Sequence, residues 1–346
     1  MYIIIDGSSM LSTNYYGTLP REMLFARTLE EKEKLYPKIM QTSTGKYTNG
    51  VYTSVKQILK MIEQKNPEGI VVVLDKSRNT FRRDLYAEYK AQRPATPSPL
   101  KEQFITFGEV LSEMGIPVYT SDKYEADDLA GAIAKKLEAA GKKCVLISGD
   151  KDYYQLVSNN IDFWRLMPST AKKKYEKVYN VDMAEYAAKH NIPTGFFEIK
   201  MGDGLLVDDS IVNLTPEQFV DYLAVVGDKA DNIPGVNRVG PATIVPLLQK
   251  YNTLDTIYSI IHDAANTNST DALFASWKSE LGIKTNPINL LLKDESNAYL
   301  SRKLAKIETN ISEVPCDISK YMLNLNRTGL NNVIESYEFT TLKQFV

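Results

Sequence analysis

The sequence predicts an α/β fold with a largely parallel central sheet. Three short apolar runs, Tyr2–Ile5 (YIII), Gly69–Leu74 (GIVVVL) and Cys144–Ser148 (CVLIS), read as strands buried on both faces. Segments of helical spacing lie between them, the alternation that builds parallel sheets. Each run is followed by an aspartate, Asp6, Asp75 and Asp150. Ligands of open parallel sheets bind outside the carboxyl ends of the strands. Three acids at three strand ends therefore point to one functional edge.

The elements follow in order. After the turn Asp6-Gly7-Ser8-Ser9, the charged run Glu30–Lys34 is expected as a solvated helix. Val51, Val55, Ile58, Leu59 and Ile62 recur at helical spacing and predict a helix over Val51–Gln64. The polar and aromatic stretch Asn79–Arg93 places Arg82, Tyr86, Tyr89 and Arg93 at i, i+4, i+7 and i+11, one helix face with Lys90 beside it. Such a basic, aromatic face can hold phosphates and stack bases, at about 1–3 kcal/mol per stacked base. A charge-decorated, solvated helix would look the same. Pro94, Pro97 and Pro99 break the pattern before a helix over Leu100–Met114 and a short strand over Ile116–Thr120. Ile161–Leu166 reads as a further strand, and Pro168–Tyr179 carries Lys172, Lys173, Lys174 and Lys177. From Val181 onward the signals are mostly helical.

The chain has 346 residues, 43% of them hydrophobic, enough for one large or two modest domains. A net charge of -2 gives no global basic field, so any nucleic-acid contact must use local patches. Two cysteines, Cys144 and Cys316, suggest no disulfide framework and fit a reducing cytoplasm. The N-terminus lacks a basic region and a long apolar run, and no stretch approaches a membrane span. With only His190 and His262, a histidine-based triad or zinc site is not expected.

The chemistry gathers around Tyr124–Leu137 and the following strand. Glu125, Asp127 and Asp128 fall in the first turn of a predicted helix, and Asp150 and Asp152 lie past a strand end. Acids in a first helical turn are favoured by the macrodipole, and Asp122-x-x-Glu125 scans as a capping-box variant, so E-x-D-D alone is a decorated helix start. Five acids meeting at one place are different. Their repulsion calls for cations, and an all-oxygen donor set favours Mg²⁺ or Mn²⁺. Further along, Asp228 and Asp231 lie three apart near a helix C-terminus, where the dipole opposes negative charge. Gly235 and Gly240 then allow a tight hairpin, with Pro241 suited to open the next helix. The spacing fits a helix-hairpin-helix clamp on a nucleic-acid backbone. A plain helix connection with glycine caps is the simpler alternative.

Taken together, FRRDLYAEYKAQR after VVVLD, EADD, SGDKD-x-x-QL, DNIPGVNRVGPATI after Gly227-Asp228, LAKIETNI and the closing EFTTLKQF resemble the 5′-nuclease family. These are the 5′→3′ exonucleases and flap endonucleases found as the N-terminal domain of bacterial DNA polymerase I and as free-standing bacterial and phage enzymes. The resemblance implies a PIN-like three-layer domain over 1–180 with a helical arch at about 78–115. It implies a mostly helical subdomain over 181–346, its helix-hairpin-helix at about 219–250. It implies two divalent ions, the first held by Asp6, Asp75, Glu125 and Asp127 with Asp128 close by. The second would be held by Asp150, Asp152, Asp228 and Asp231. Arg82, Lys90 and Arg93 would meet the scissile phosphate or 5′ strand, with Lys90 and Arg82 neutralising charge in the transition state. Tyr86 would stack on a base, with Tyr89 nearby. Gly235, Val236, Arg238 and Gly240 would contact DNA, and the carbonyls of Val236 and Val239 would bind K⁺. The implied partner is DNA with a 5′ flap, branch, nick or free 5′ end, and RNA–DNA primer hybrids as an extension. A free-standing, monomeric cytoplasmic enzyme is expected. A branched-DNA binder without catalysis and a PIN-type ribonuclease are the competing readings. Residues 20–46 and about 168–215 look longer than in compact family members. Asp203, Asp208 and Asp209 in the second are expected as surface acids.

Overall fold

A computed structural model describes residues 1–166, 175–177 and 214–346. Its sheet has the order β3-β2-β1-β4-β5-β6. The strands are β1 Tyr2–Asp6, β2 Gly69–Val73, β3 Val118–Tyr119, β4 Cys144–Ser148, β5 Ile161–Leu166 and β6 Tyr175–Lys177. All pairings are parallel except β5 with β6. The unbroken apolar runs are explained by burial on both faces. Ile3, Ile5, Ile70, Val72, Val145 and Ile147 join one core, while Tyr2, Ile4, Val71, Val73, Cys144 and Leu146 join the other. The alternation is the period of two that a pleated strand imposes.

The first core is covered by α1 Gly7–Gly17, α3 Asn49–Lys65 and α5 Ser98–Glu113. The exposed α2, Leu29–Glu33, is the charged helix expected from sequence, opened by a Thr28–Glu31 capping box. The second core is covered by α6 Ala126–Ala139 and a 3-10 turn over Lys151–Leu156. Helices of the second half also supply it: α7 Pro216–Val226, α8 Pro241–Tyr251, α9 Leu254–Asn266, α10 Thr270–Leu281, α11 Ile288–Lys293 and α12 Glu295–Ala305.

The stretch 79–93 does not form the continuous helix its spacing suggests. Only α4, Phe81–Leu85, is helical; Tyr86 is extended at φ -151, and Lys90 is left-handed at φ 54. Tertiary hydrogen bonds win over local periodicity. The Lys90 N–H donates to the Asp231 carbonyl at 2.9 Å, Gln92 donates to the Lys229 carbonyl at 2.8 Å, and Asn232 donates to the Glu88 carbonyl at 2.8 Å. The shared face of Arg82, Tyr86, Tyr89 and Arg93 is therefore absent. The region expected as an arch at 78–115 is also shorter, because α5 buries Leu100, Phe107, Val110 and Leu111 in the first core.

The C-terminal segment crosses the expected division between halves. Helix α13, Arg327–Ser336, brings Leu330, Val333 and Ile334 into the first core, and Leu342 follows. Met322 bridges to Gly69 beside β2. The boundary at 180/181 lies outside the described residues, as do Asp203, Asp208, Asp209 and the Lys172–Lys174 run. Lys177 is described only as backbone of β6.

Candidate metal and nucleic-acid site

The sheet register assembles the first acids. Asp6 ends β1 opposite Val73, and Ile5 stands opposite Ile147 on the other side. Asp75 and Asp150, each two residues past the strands beside it, thus emerge at the same edge. Asp6 caps α1 through the Ser9 N–H at 2.9 Å. Its other oxygen accepts from Ser148 at 2.8 Å and from Tyr153 at 3.3 Å. Asp75 reaches the next helix and accepts the Ala126 N–H at 2.9 Å, which ties strand β2 to the start of α6. Burial, then the charges of Asp75 and Asp150, push the Asp6 carboxyl up to about 7.

Glu125 caps α6 and lies 7% exposed. It accepts from Thr80 at 3.1 Å, Tyr89 at 3.1 Å and the Lys90 ammonium at 2.8 Å. Burial alone would raise its carboxyl, but Lys90 and Arg82 hold it below the usual value. Burial and the neighbouring Asp128 push Asp127 well up. Lys90 continues to Asp231 at 3.4 Å, so one ammonium spans the two groups of acids. Arg93 also pairs with Asp231. On the second group, Asp228 faces Lys151 at 3.4 Å. Burial pushes Asp152 well up, and the charges of Asp150, Asp231 and Asp228 add to it.

Three assignments need correction. Arg82 is 1% exposed and grips Asp128 with two bonds of 2.7 Å. It also donates to the carbonyls of Leu304 and Lys306 at 2.8 Å. Asp128, itself 0% exposed, accepts in addition from the Glu125 N–H at 3.1 Å and the Glu308 N–H at 2.7 Å. Its oxygens are spent. Asp128 is a structural partner of Arg82 rather than an ion ligand, and Arg82 cannot reach a phosphate. Tyr89 is likewise 2% exposed and ties Glu125 to Asp231, so its ring is core and not a base platform. Tyr86 packs half-buried against the second core.

Among the described residues, no three acidic, histidine or cysteine side chains stand in an arrangement already matching a metal ligand set. Lys90, Arg93 and Lys151 occupy that electrostatic role instead. The donors nevertheless fit a hard divalent cation. Asp152 has one oxygen buried with no hydrogen-bond partner, an arrangement that costs about 1–3 kcal/mol or more if nothing binds it. Thr80, Ser148, Lys151 and Tyr153 were not singled out by sequence. They lie beside motif acids, but no spacing distinguishes them from ordinary turn residues.

The hairpin between α7 and α8 turns at Gly235 as expected, whereas Gly240 is extended at φ -114. Gly227 and Gly235 have φ of 74 and 64. The Gly235 N–H goes to Ser301 at 2.9 Å, the Val236 N–H to the Val225 carbonyl at 2.7 Å and the Asn237 N–H to Asp294 at 3.0 Å. Two of the four residues expected to contact DNA here, Gly235 and Val236, thus have their N–H groups spent internally, as does Asn237 between them and Arg238, which leaves Arg238 and Gly240 beside the uncapped start of α8. A Cβ on Gly235 would meet the Gly227 nitrogen and Val225 carbonyl oxygen at 2.6 Å. Gly235→Ala should destabilise by more than about 1–2 kcal/mol, the left-handed penalty alone. Urea unfolding checks this; an unchanged midpoint would mean the hairpin is not held so tightly.

Residues 1–189 match the family model described as 5′-3′ exonuclease, N-terminal resolvase-like domain. Residues 214–328 match the one described as 5′-3′ exonuclease, C-terminal SAM fold. The chain is 28% identical to a 5′-3′ exonuclease of Aquifex aeolicus, over 99% of this chain and 93% of that protein. It is 32% identical to DNA polymerase I of Streptococcus pneumoniae, again over 99% of this chain but 32% of the longer relative. A solved bacteriophage T5 D15 flap endonuclease, in a pseudo-enzyme-product complex with DNA and metal ions, superposes with TM-score 0.55 at 18% identity, covering 96% and 98% of the two chains. The catalytic core of Rad2 in complex with DNA substrate gives TM-score 0.53 at 14% identity, covering 100% and 92%. At such identities the last two show the fold.

Proposed function

The chain belongs to the 5′-3′ exonuclease family, and on that premise we propose that it hydrolyses DNA phosphodiesters near a 5′ end, flap or branch using two divalent cations. The observation that carries this reading is the strand-edge cluster of Asp6, Asp75 and Asp150 with the unpartnered oxygen of Asp152 beside it. Asp6, Asp75, Glu125 and Asp127 would hold one ion, and Asp150, Asp152, Asp228 and Asp231 the other. Oxygen-only donors suit Mg²⁺ or Mn²⁺. Such ions supply an activated water and stabilise the leaving oxygen.

The protein's own groups do the rest. Lys90 and Arg93 hold positive charge at the mouth of the cluster, where a phosphate would be neutralised and oriented. Ser148 and Tyr153 fix the Asp6 carboxylate. Tyr86 is the remaining aromatic candidate for stacking on a base, and the Arg238 and Gly240 amides suit a duplex backbone. K⁺ bound by the Val236 and Val239 carbonyls, RNA–DNA primers as substrate, a monomeric state and a cytoplasmic setting complete the proposal. No helix among the described residues is long and apolar enough to cross a membrane.

A labelled 5′-flap duplex incubated with Mg²⁺ and with EDTA tests the reading. Cleavage near the junction that EDTA abolishes is the expected result. Binding without cutting would indicate a silent branched-DNA binder, and cutting of single-stranded RNA alone a ribonuclease.

A pH dependence follows from the crowding. Without metal, folded Asp6 keeps its proton to about 7, whereas its ordinary value is 3.8. Between these values the folded state binds more protons than the unfolded one, so stability falls as pH rises. Asp127 and Asp152 act with the same sign. The depressed Glu125 acts below 4.5, outside this window. In EDTA the melting temperature should therefore fall from about pH 5 to 8, with Mg²⁺ reversing the trend. A rise in EDTA over that range would contradict the crowded site.

A further inference from the structure

A cavity of about 700 Å³ lies on the first core's side of the sheet, between the end of α1, the outer face of α3 and Trp164 on β5. Its wall carries Lys56, Lys60 and Lys65 at near-helical intervals along α3. No acid lines it, and none of the three lysines has a salt-bridge partner among the described residues. Aromatic rings hold two of them in place. Lys65 sits 5.2 Å from the centre of the Trp164 ring and Lys56 sits 5.6 Å from that of Tyr52. Tyr52 is in turn anchored through its hydroxyl to Thr341 at 2.6 Å. The Trp164 indole N–H is buried without an acceptor. Positive charge without acids, beside aromatic rings and an unused buried donor, is the chemistry of a polyanion with planar bases.

We propose that this cavity is a second nucleic-acid subsite, holding a single-stranded arm of the molecule whose junction lies at the carboxylates. Helix α1 sets the separation. Its first residue follows Asp6 and its C-cap is Thr18, which lines the cavity. Eleven residues at 1.5 Å rise span about 16 Å, a reach of a few nucleotides of extended single strand. An arm of about two nucleotides cannot bridge the two places, and one of about ten can. The subsite goes beyond the proposed cleavage reaction; its dependence on arm length rests on that reading, while its affinity for a free oligonucleotide does not.

The test uses Lys60→Glu/Lys65→Glu, two exposed positions outside the carboxylate site. Oligothymidylate of about ten nucleotides is titrated while tryptophan emission is followed. Of the two tryptophans, Trp277 is fully buried, so a quench reports Trp164. The quench should saturate in the wild type and weaken about tenfold or more in the variant, with a shallower salt dependence by about 1.4 in log–log slope. Flap cleavage supplies the second readout. KM should rise for arms of about ten nucleotides and stay unchanged for arms of about two, with kcat constant for both. Equal oligonucleotide affinity in variant and wild type would overturn the subsite. So would equal quenching by inorganic phosphate alone, which would mark a simple anion site. Because the fluorescence titration needs no cleavage, failure of the nuclease reading and failure of the subsite are distinguishable.

Discussion

Asp150→Asn and Asp152→Asn are each expected to lower flap cleavage about a thousand-fold or more while DNA binding is largely kept. Removing one carboxylate from a two-ion site forfeits several kcal/mol of charge stabilisation in the transition state, and each 1.36 kcal/mol is tenfold in rate. Binding is kept because the amide leaves Lys90, Arg93 and the hairpin untouched. The same variants should be more stable than the wild type in EDTA. Asp152 carries an unpartnered buried oxygen and faces the charges of Asp150, Asp231 and Asp228, so neutralising either acid relieves repulsion. Mg²⁺ should then add less to their melting temperature than to that of the wild type. Single-turnover cleavage with calorimetry in EDTA and Mg²⁺ gives both halves. Near-wild-type turnover in both variants would refute the ligand assignment.

Asp128→Asn should behave differently from its neighbours in the motif. It breaks a buried pair with Arg82, so a loss of about 3–5 kcal/mol of folding stability is expected from an uncompensated guanidinium. Arg82→Met should cost a comparable amount, since it orphans Asp128 and releases the carbonyls of Leu304 and Lys306. The double substitution Arg82→Met/Asp128→Leu should regain much of the loss, because a buried pair replaced by apolar groups is often close to neutral. Urea unfolding of the two single variants and the double variant closes the cycle. If Asp128→Asn instead unfolds like the wild type but no longer cleaves, Asp128 is an ion ligand after all and the pairing is secondary.

The strands, their parallel alternation and the acids at their ends were legible from local pattern, because burial on both faces writes an unbroken apolar run and the strand edge writes its acid next to it. Of the two hairpin glycines, Gly235 was legible for a similar reason, since a left-handed φ excludes most other residues, whereas Gly240 is extended and the positive φ at Gly227 went unread. Local pattern misled at 79–93. The i, i+4 spacing of Arg82 and Tyr86 says helix, yet hydrogen bonds to Lys229, Asp231 and Asn232, about 140 positions away, unwind the segment.

The sequence by itself determined which residues could carry charge and where strands would end, since both depend on neighbours in the chain. Only the tertiary structure decided which acids remain free. Asp127 and Asp128 are adjacent and chemically identical, yet Asp128 is consumed by an arginine from α4 and an amide from Glu308. Such partners come from segments far away in the chain, and their positions are fixed only when the cores close around them.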